Sequence, residues 1–166
     1  IVDAGGMIHW VHDRGCLIRN TNGNGVCREG VIIDVTDRKR AEEEIRIGQE
    51  RFRNIFENAS DIIYIHDIDG NYLSINDAGE RVFGYSREET LQMNMSQIAD
   101  PEQVQVLREK LAAKLHGETS QTSYEVDCIR KDGRRITLEV NSSVIYKDGK
   151  PVAVQGIARD VTERKR

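Results

Sequence analysis

A seven-residue string occurs twice in this chain: residues 34–40 read DVTDRKR and residues 160–166 read DVTERKR, an offset of 126 residues (34 to 160). That offset is about the size of one small domain plus a linker, so the string marks the end of a repeated module. The match extends backwards at the same offset, with Gly30 on Gly156, Val26 on Val152 and Gly23 on Gly149. The second copy has room for a whole module before its string. The first has 40 residues, enough only for the module's final strands. Residues 1–40 are therefore expected to be the end of a preceding module, 41–51 a helical linker, and 52–166 a complete module.

The elements of the complete copy follow from local chemistry. Ala41, Ile45, Gly48, Phe52, Ile55 and Ala59 recur at alternating steps of four and three, the seam of an amphipathic or coiled-coil helix. DIIYIHD (61–67) is a continuous apolar run, which predicts a central strand covered on both faces. Asp69-Gly70 suits a tight hairpin into a second strand, 71–75. Asn76 is an N-cap and Gly84 a stop for a short helix, and Ser86 with Glu89 forms a capping box for another. Asp100-Pro101 is expected to open a longer helix that Gly117 closes, with Val104, Leu107, Leu111 and Leu115 on one face. Three strands complete the module, about 122–130, 134–146 and 152–160, joined at Asp132-Gly133 and Asp148-Gly149. In the middle one Ile136, Leu138, Val140 and Val144 share a face opposite Thr137, Glu139, Asn141 and Ser143. Antiparallel strands with helices segregated to one face make an α+β fold, with a natural ligand space between sheet and helices.

Composition narrows the function. The 24 basic and 28 acidic side chains leave a net charge of −4, a poor basis for binding a phosphate backbone. The basic runs 38–40 and 164–166 read as solvated helix faces, so no nucleic-acid partner is expected. Cys16, Cys27 and Cys128 are odd in number and form no CxxC, which argues against a disulfide framework and for a reducing, cytoplasmic setting. No apolar run approaches the roughly 20 residues of a membrane span, so none is expected in this chain. A longer parent is left free to carry one.

With these words in this order, the chain resembles the PAS (sensory box) family. FRNIFENASDIIYIHDIDGNYLSINDAGERVFGYSREE (52–89) is similar to the first half of such a domain. YEVDCIRKDGRRITLEVNSSVIYKDGKPVAVQGIARDVTERKR (124–166) is similar to the second half, with its terminal PAC-type Asp-x-Thr signature. MIHWVHDRG (7–15) resembles the same region of a related subtype. The resemblance implies a five-stranded antiparallel sheet of order 2-1-5-4-3 with helices on one face, preceded here by the amphipathic helix. It implies tandem modules upstream of histidine kinases, cyclases or similar outputs, which sense ligands, redox state or light or relay a conformational signal. Asn76 resembles the family's helix-capping asparagine. Asp160, Thr162 and Arg164, repeated by Asp34 and Arg38, resemble the signature whose acid and base tie the last strand to the exit helix. A plain helix cap with a weak exposed ion pair explains the same residues.

The remaining candidates point away from chemistry. His9 and His12, expected on one strand, would face opposite sides, and His66 and His116 sit at element ends, so no metal site is expected. His116 falls late for the haem-ligating position that the family implies. The flavin-reactive cysteine is absent from the helical insert, and Ala158 stands where the family's flavin-contacting glutamine is expected. Neither haem nor a covalently reacting flavin is therefore expected, and the cofactor stays unknown. Cys128, on one face with Val126, reads as a buried structural thiol. DIDGN (67–71) lacks the rest of a calcium loop and reads as the hairpin. No Walker loop, GxSxG or phosphoacceptor histidine box occurs, so no catalytic residue is expected, and any kinase or cyclase activity would belong to a parent protein.

Two readings stay open: a sensory input module, or a ligandless structural relay and dimerisation module. For the first, the expected pocket is Ile65, Phe83, Leu107, Leu111, Val126, Ile136, Leu138 and Val140, taking a small, largely apolar ligand. For either, the seam Ala41, Ile45, Gly48, Phe52 and Ile55 is expected to support a homodimer. The strands within 1–35, with Trp10, Val31 and Ile33, cannot close a sheet alone. They are expected to be covered by another copy or by the complete module, or to be poorly ordered.

Overall fold

The computed structural model describes residues 1–19, 26–116 and 121–165. Gly23 and Gly117, named above, lie outside them. The chain divides into two units, residues 1–52 and 53–166.

In the first unit, β1 (Val11–Arg19) and β2 (Val26–Asp34) pair antiparallel from Val11 opposite Asp34 to Arg19 opposite Val26. Trp10, Val31, Ile32 and Ile33 are exposed in the single chain. Thr36 is the one buried side chain among this unit's described residues. His9 precedes β1 instead of sharing a strand with His12. Its ring spans two aspartates, Nδ1 at 2.9 Å from Asp34 and Nε2 at 3.1 Å from Asp3.

Helix α1 (Thr36–Glu57) begins five residues earlier than the seam suggested and crosses the division between the units. Ile45, Phe52 and Ile55 on the seam are each more than 60% exposed. Ion pairs such as Arg46 with Glu43 and Glu50 lace the polar side.

The second unit is the expected α+β domain. Its strands are β3 (Ile62–Asp67), β4 (Tyr72–Ile75), β5 (Gln121–Ile129), β6 (Arg135–Lys147) and β7 (Lys150–Asp160). They form one antiparallel sheet of order β4-β3-β7-β6-β5, the predicted 2-1-5-4-3 in the module's own count. Between β4 and β5 lie α2 (Asp77–Phe83), α3 (Arg87–Thr90), α4 (Met95–Ile98) and α5 (Val104–Leu115). Gly84, at φ 80°, closes α2, and Ser86 with Glu89 makes the reciprocal capping box of α3. Asn94 and Gln97 build a second box on α4 that the sequence reading missed. Asp100 caps a turn at Glu102 rather than opening α5, which starts at Val104. The Asp100 carboxylate is buried and lies 2.6 Å from the Arg135 guanidinium.

Strand β3 corrects the expectation of two covered faces. Ile62 and His66 are buried on the core side, while Ile63 and Ile65 are only half-buried on the other. The core gathers Ile62, Tyr72, Ile75, Phe83, Ile98, Val126, Ile136, Leu138, Val140 and Ala158 between sheet and helices. Gly156 makes this packing possible: a Cβ there would fall 2.3–2.7 Å from the Tyr64 ring and hydroxyl. The ring occupies the space that the missing side chain leaves.

Candidate functional site

Asn76 is the first fixed point. Its buried side-chain oxygen accepts from the backbone N–H of Ile63 at 3.0 Å and of Gly79 at 3.2 Å. Its amide donates to the carbonyls of Phe56 and Asp61, both at 3.0 Å. One side chain thus caps α2 and joins the end of α1 to the start of β3. The sequence expectation had assigned it the cap alone. Arg87 braces the same corner by pairing with Glu57 at 2.6 Å and Asp77 at 3.0 Å.

The repeated string makes the second fixed point, twice. Asp34 Oδ1 accepts from the Thr36 N–H at 2.9 Å and hydroxyl at 2.6 Å. Asp160 Oδ1 accepts from Thr162 in the same way, at 2.9 and 2.5 Å. Thr36 Oγ1 then accepts from the Trp10 N–H at 2.9 Å, and Thr162 Oγ1 from the Thr137 N–H at 3.0 Å. The intervening Val35 and Val161 donate to the Trp10 and Thr137 carbonyls. Each knot fastens the last strand to the start of its neighbour. The expected acid–base ties do not form: no Asp34–Arg38 or Asp160–Arg164 ion pair exists among the described residues. Arg38 reaches forward to Glu42 at 3.6 Å instead. Threonine wins because two residues is the reach of an aspartate's own turn. The Thr36 hydroxyl and N–H, with His9, hold the Asp34 carboxyl down to about 2.

Between sheet and helices lies a cavity of about 50 Å³ lined by Tyr64, His66, Tyr72, Phe83, Met95, Ile98, Ala99, Leu107, Tyr124, Val126, Cys128, Leu138, Val140 and Ala158. Of the eight expected pocket residues, Phe83, Leu107, Val126, Leu138 and Val140 line it. Ile136 is buried in the adjoining core without lining it. Ile65 is a correction, since it sits on the opposite face of β3 and Tyr64 and His66 take the inward positions. Leu111 is another. It lines a separate groove with Ile68, Asp69 and Asn94, one helical turn beyond Leu107, while the chain entering α5 is tied to β5 where Gln103 bonds Asp127.

The polar groups of the cavity were not foreseen. The Tyr64 and Tyr124 hydroxyls are hydrogen-bonded to each other, and Tyr124 also to Ser142. Burial raises all three tyrosines above the usual phenol range. It pushes the Cys128 thiol up to about 12, with Asp127 and Asp100 adding to the shift, so the sulfur stays protonated. His66 Nδ1 donates to the Asp67 carbonyl at 2.6 Å, and its ring stacks on Tyr64 at 5.8 Å. Tyr124 was within reach of the sequence, sharing the parity of Val126 and Cys128 along β5. The cavity is far below the roughly 300–1,000 Å³ of sites for drug-sized ligands. The Asp67 carboxylate accepts from Asp69, Asn71 and the Asn71 amide, the hairpin geometry expected of DIDGN.

Known proteins share this fold. Residues 60–163 match the PAS-domain family. The methyl sulfide methyltransferase-associated sensor of Methanosarcina acetivorans is 35% identical over 127 residues, 76% of this chain and 12% of that protein. Sensor protein FixL of Bradyrhizobium diazoefficiens is 24% identical over 158 residues, 93% of this chain and 31% of FixL. Among solved structures, a PAS domain from Colwellia psychrerythraea superposes with a TM-score of 0.65 at 22% identity, covering 70% of this chain and 98% of that one. This chain belongs to the PAS-domain family. It is homologous to the sensory regions of sensor histidine kinases, and it spans less than a third of the length of the two curated relatives named here. Among the described residues no helix is long and apolar enough to cross a membrane.

Proposed function

We propose that the chain is an input and relay segment of a multidomain signalling protein, a histidine kinase by analogy with its relatives. Residues 1–40 are the end of one PAS module, 41–51 the linker and 52–166 a complete module. The chain itself carries no catalytic group, and output belongs to a domain elsewhere in the parent. The observation that carries this reading is the shared wall of cavity and knot. Leu138 and Ala158 line the cavity, Leu138 pairs across the sheet with Asp160, and Thr137 beside it is the knot's anchor. A ligand that shifts Leu138 therefore strains the Asp160–Thr162 knot directly. The competing relay reading, with a filled cavity, predicts that no small molecule enters.

The exposed seam of α1 supports a parallel homodimer. Ile45, Phe52 and Ile55 present apolar surface at coiled-coil spacing, and Gly48 permits close approach. Replacing Ile45 and Phe52 by Glu is expected to weaken self-association in analytical ultracentrifugation. A wild-type chain that stays monomeric at high concentration would remove the dimer from the account. In the parent, Thr162→Val is expected to uncouple output from input while leaving the module folded. Unchanged signalling in that variant would refute the relay role.

A further inference from the structure

The cavity's chemistry narrows what it can hold, granted the reading of it as the sensory pocket. Not one Asp, Glu, Lys or Arg is among its lining residues. A charged guest would leave water for a site that offers no counter-charge, which costs several kcal/mol. Size sets a second limit. A single water needs roughly 10–15 Å³ on this scale, so about 50 Å³ admits a guest of about three to five non-hydrogen atoms.

Tyr72 supplies the third limit. Its side chain is buried with the Tyr64 ring edge-on at 6.0 Å, and its hydroxyl makes no hydrogen bond among the described residues. Tyr64 and Tyr124, in contrast, are committed to each other. Burial keeps the Tyr72 phenol protonated, so its O–H is available to donate to a guest.

We infer that the cavity selects small uncharged molecules of about three to five non-hydrogen atoms, with an apolar body and one oxygen or sulfur that accepts the Tyr72 O–H. Ketones, sulfoxides, ethers and sulfides of this size form the class. Carboxylates, amines and phosphates lie outside it.

The test titrates the 166-residue chain with acetone, acetate and dimethylammonium, following the methyl resonances of Ala99, Val126, Leu138, Val140 and Ala158. Acetone is expected to shift these methyls saturably at millimolar concentration, while the two ions leave them in place. Tyr72→Phe preserves the shape, as its unchanged methyl spectrum would verify, and is expected to weaken acetone about five- to tenfold. Acetate binding as tightly as acetone would overturn the neutral class and leave the sensory-cavity reading intact. Equal acetone affinity in Tyr72→Phe would overturn the assigned donor. If none of the three probes moves the cavity methyls, the inference and the ligand-binding reading fall together.

Discussion

The two units of this chain tie the same knot into different surroundings. Asp34-Val35-Thr36 and Asp160-Val161-Thr162 make matching bonds, within about 0.1 Å, to the N–H of a residue at the start of the neighbouring strand. Around the second knot stand five strands, four helices and a buried core. The first stands at the foot of a two-stranded hairpin whose Val31, Ile32 and Ile33 are exposed. The signature is thus a local device, written by an aspartate, a threonine two residues on and a passing strand. Cooperativity comes from elsewhere, from residues far apart in the chain that meet across the sheet.

Gly156→Ala should expose that difference most strongly. The added methyl displaces the Tyr64 ring from the cavity wall, at a cost of about 3 kcal/mol and a melting temperature lower by roughly 10 °C. Its counterpart Gly30→Ala presses on backbone, 2.7 Å from the Arg14 carbonyl, yet should leave the main thermal transition within about 0.5 kcal/mol. Equal losses from both would mean that the units unfold as one. Asn76→Ala comes next. It removes the acceptor of the Ile63 N–H, one of two acceptors of the Gly79 N–H and a donor to the Phe56 and Asp61 carbonyls, and chemical denaturation should register about 2–3 kcal/mol.

The knots themselves rank third. Thr162→Val removes a donated and an accepted bond, and should lower the stability of residues 53–166 by about 1–2 kcal/mol. Thr36→Val, losing the same two bonds, should leave that transition untouched and show only as faster amide exchange at Trp10 and Val35.

How far the sequence foretold these features depends on what each one needs. The Asp-Gly turns, the Ser86–Glu89 box and the Asn76 cap are set by neighbours a few residues apart and were readable, whereas the strand order, which sets Ile62 opposite Ala158, came only through the family resemblance. Ile65 was not readable, because every position from Ile62 to His66 is apolar, aromatic or histidine. A period of two cannot choose a face in such a run. Leu111 shares a helical face with Leu107, and only the short contact of α5 with the sheet separates them. Arg135 reaching buried Asp100, and Tyr64 filling the space above Gly156, join residues 35 and 92 positions apart. No local pattern announces such meetings.

The smallest expected effect is electrostatic. Asp34 and Asp3 raise the His9 pKa, so its contribution to the hairpin is complete below the imidazole's ordinary value near 6.5. That contribution is lost as pH rises through the folded value, while the Asp34 share holds until pH falls toward about 2. Two-dimensional NMR from pH 5 to 9 should show the Trp10 and Val35 amides losing protection as His9 deprotonates, with Val161 and Thr137 unmoved. His9→Gln should flatten the profile.

Native-state hydrogen exchange on the 166-residue chain separates the two units most sharply, since it follows both knots in one sample. The Thr137 and Val161 amides are expected to exchange only through global unfolding of residues 53–166. The Trp10 and Val35 amides, held by the same bonds, should exchange roughly a thousandfold faster or more. Protection equal within a few-fold at the two knots would contradict this, and would place the first hairpin inside the same cooperative core.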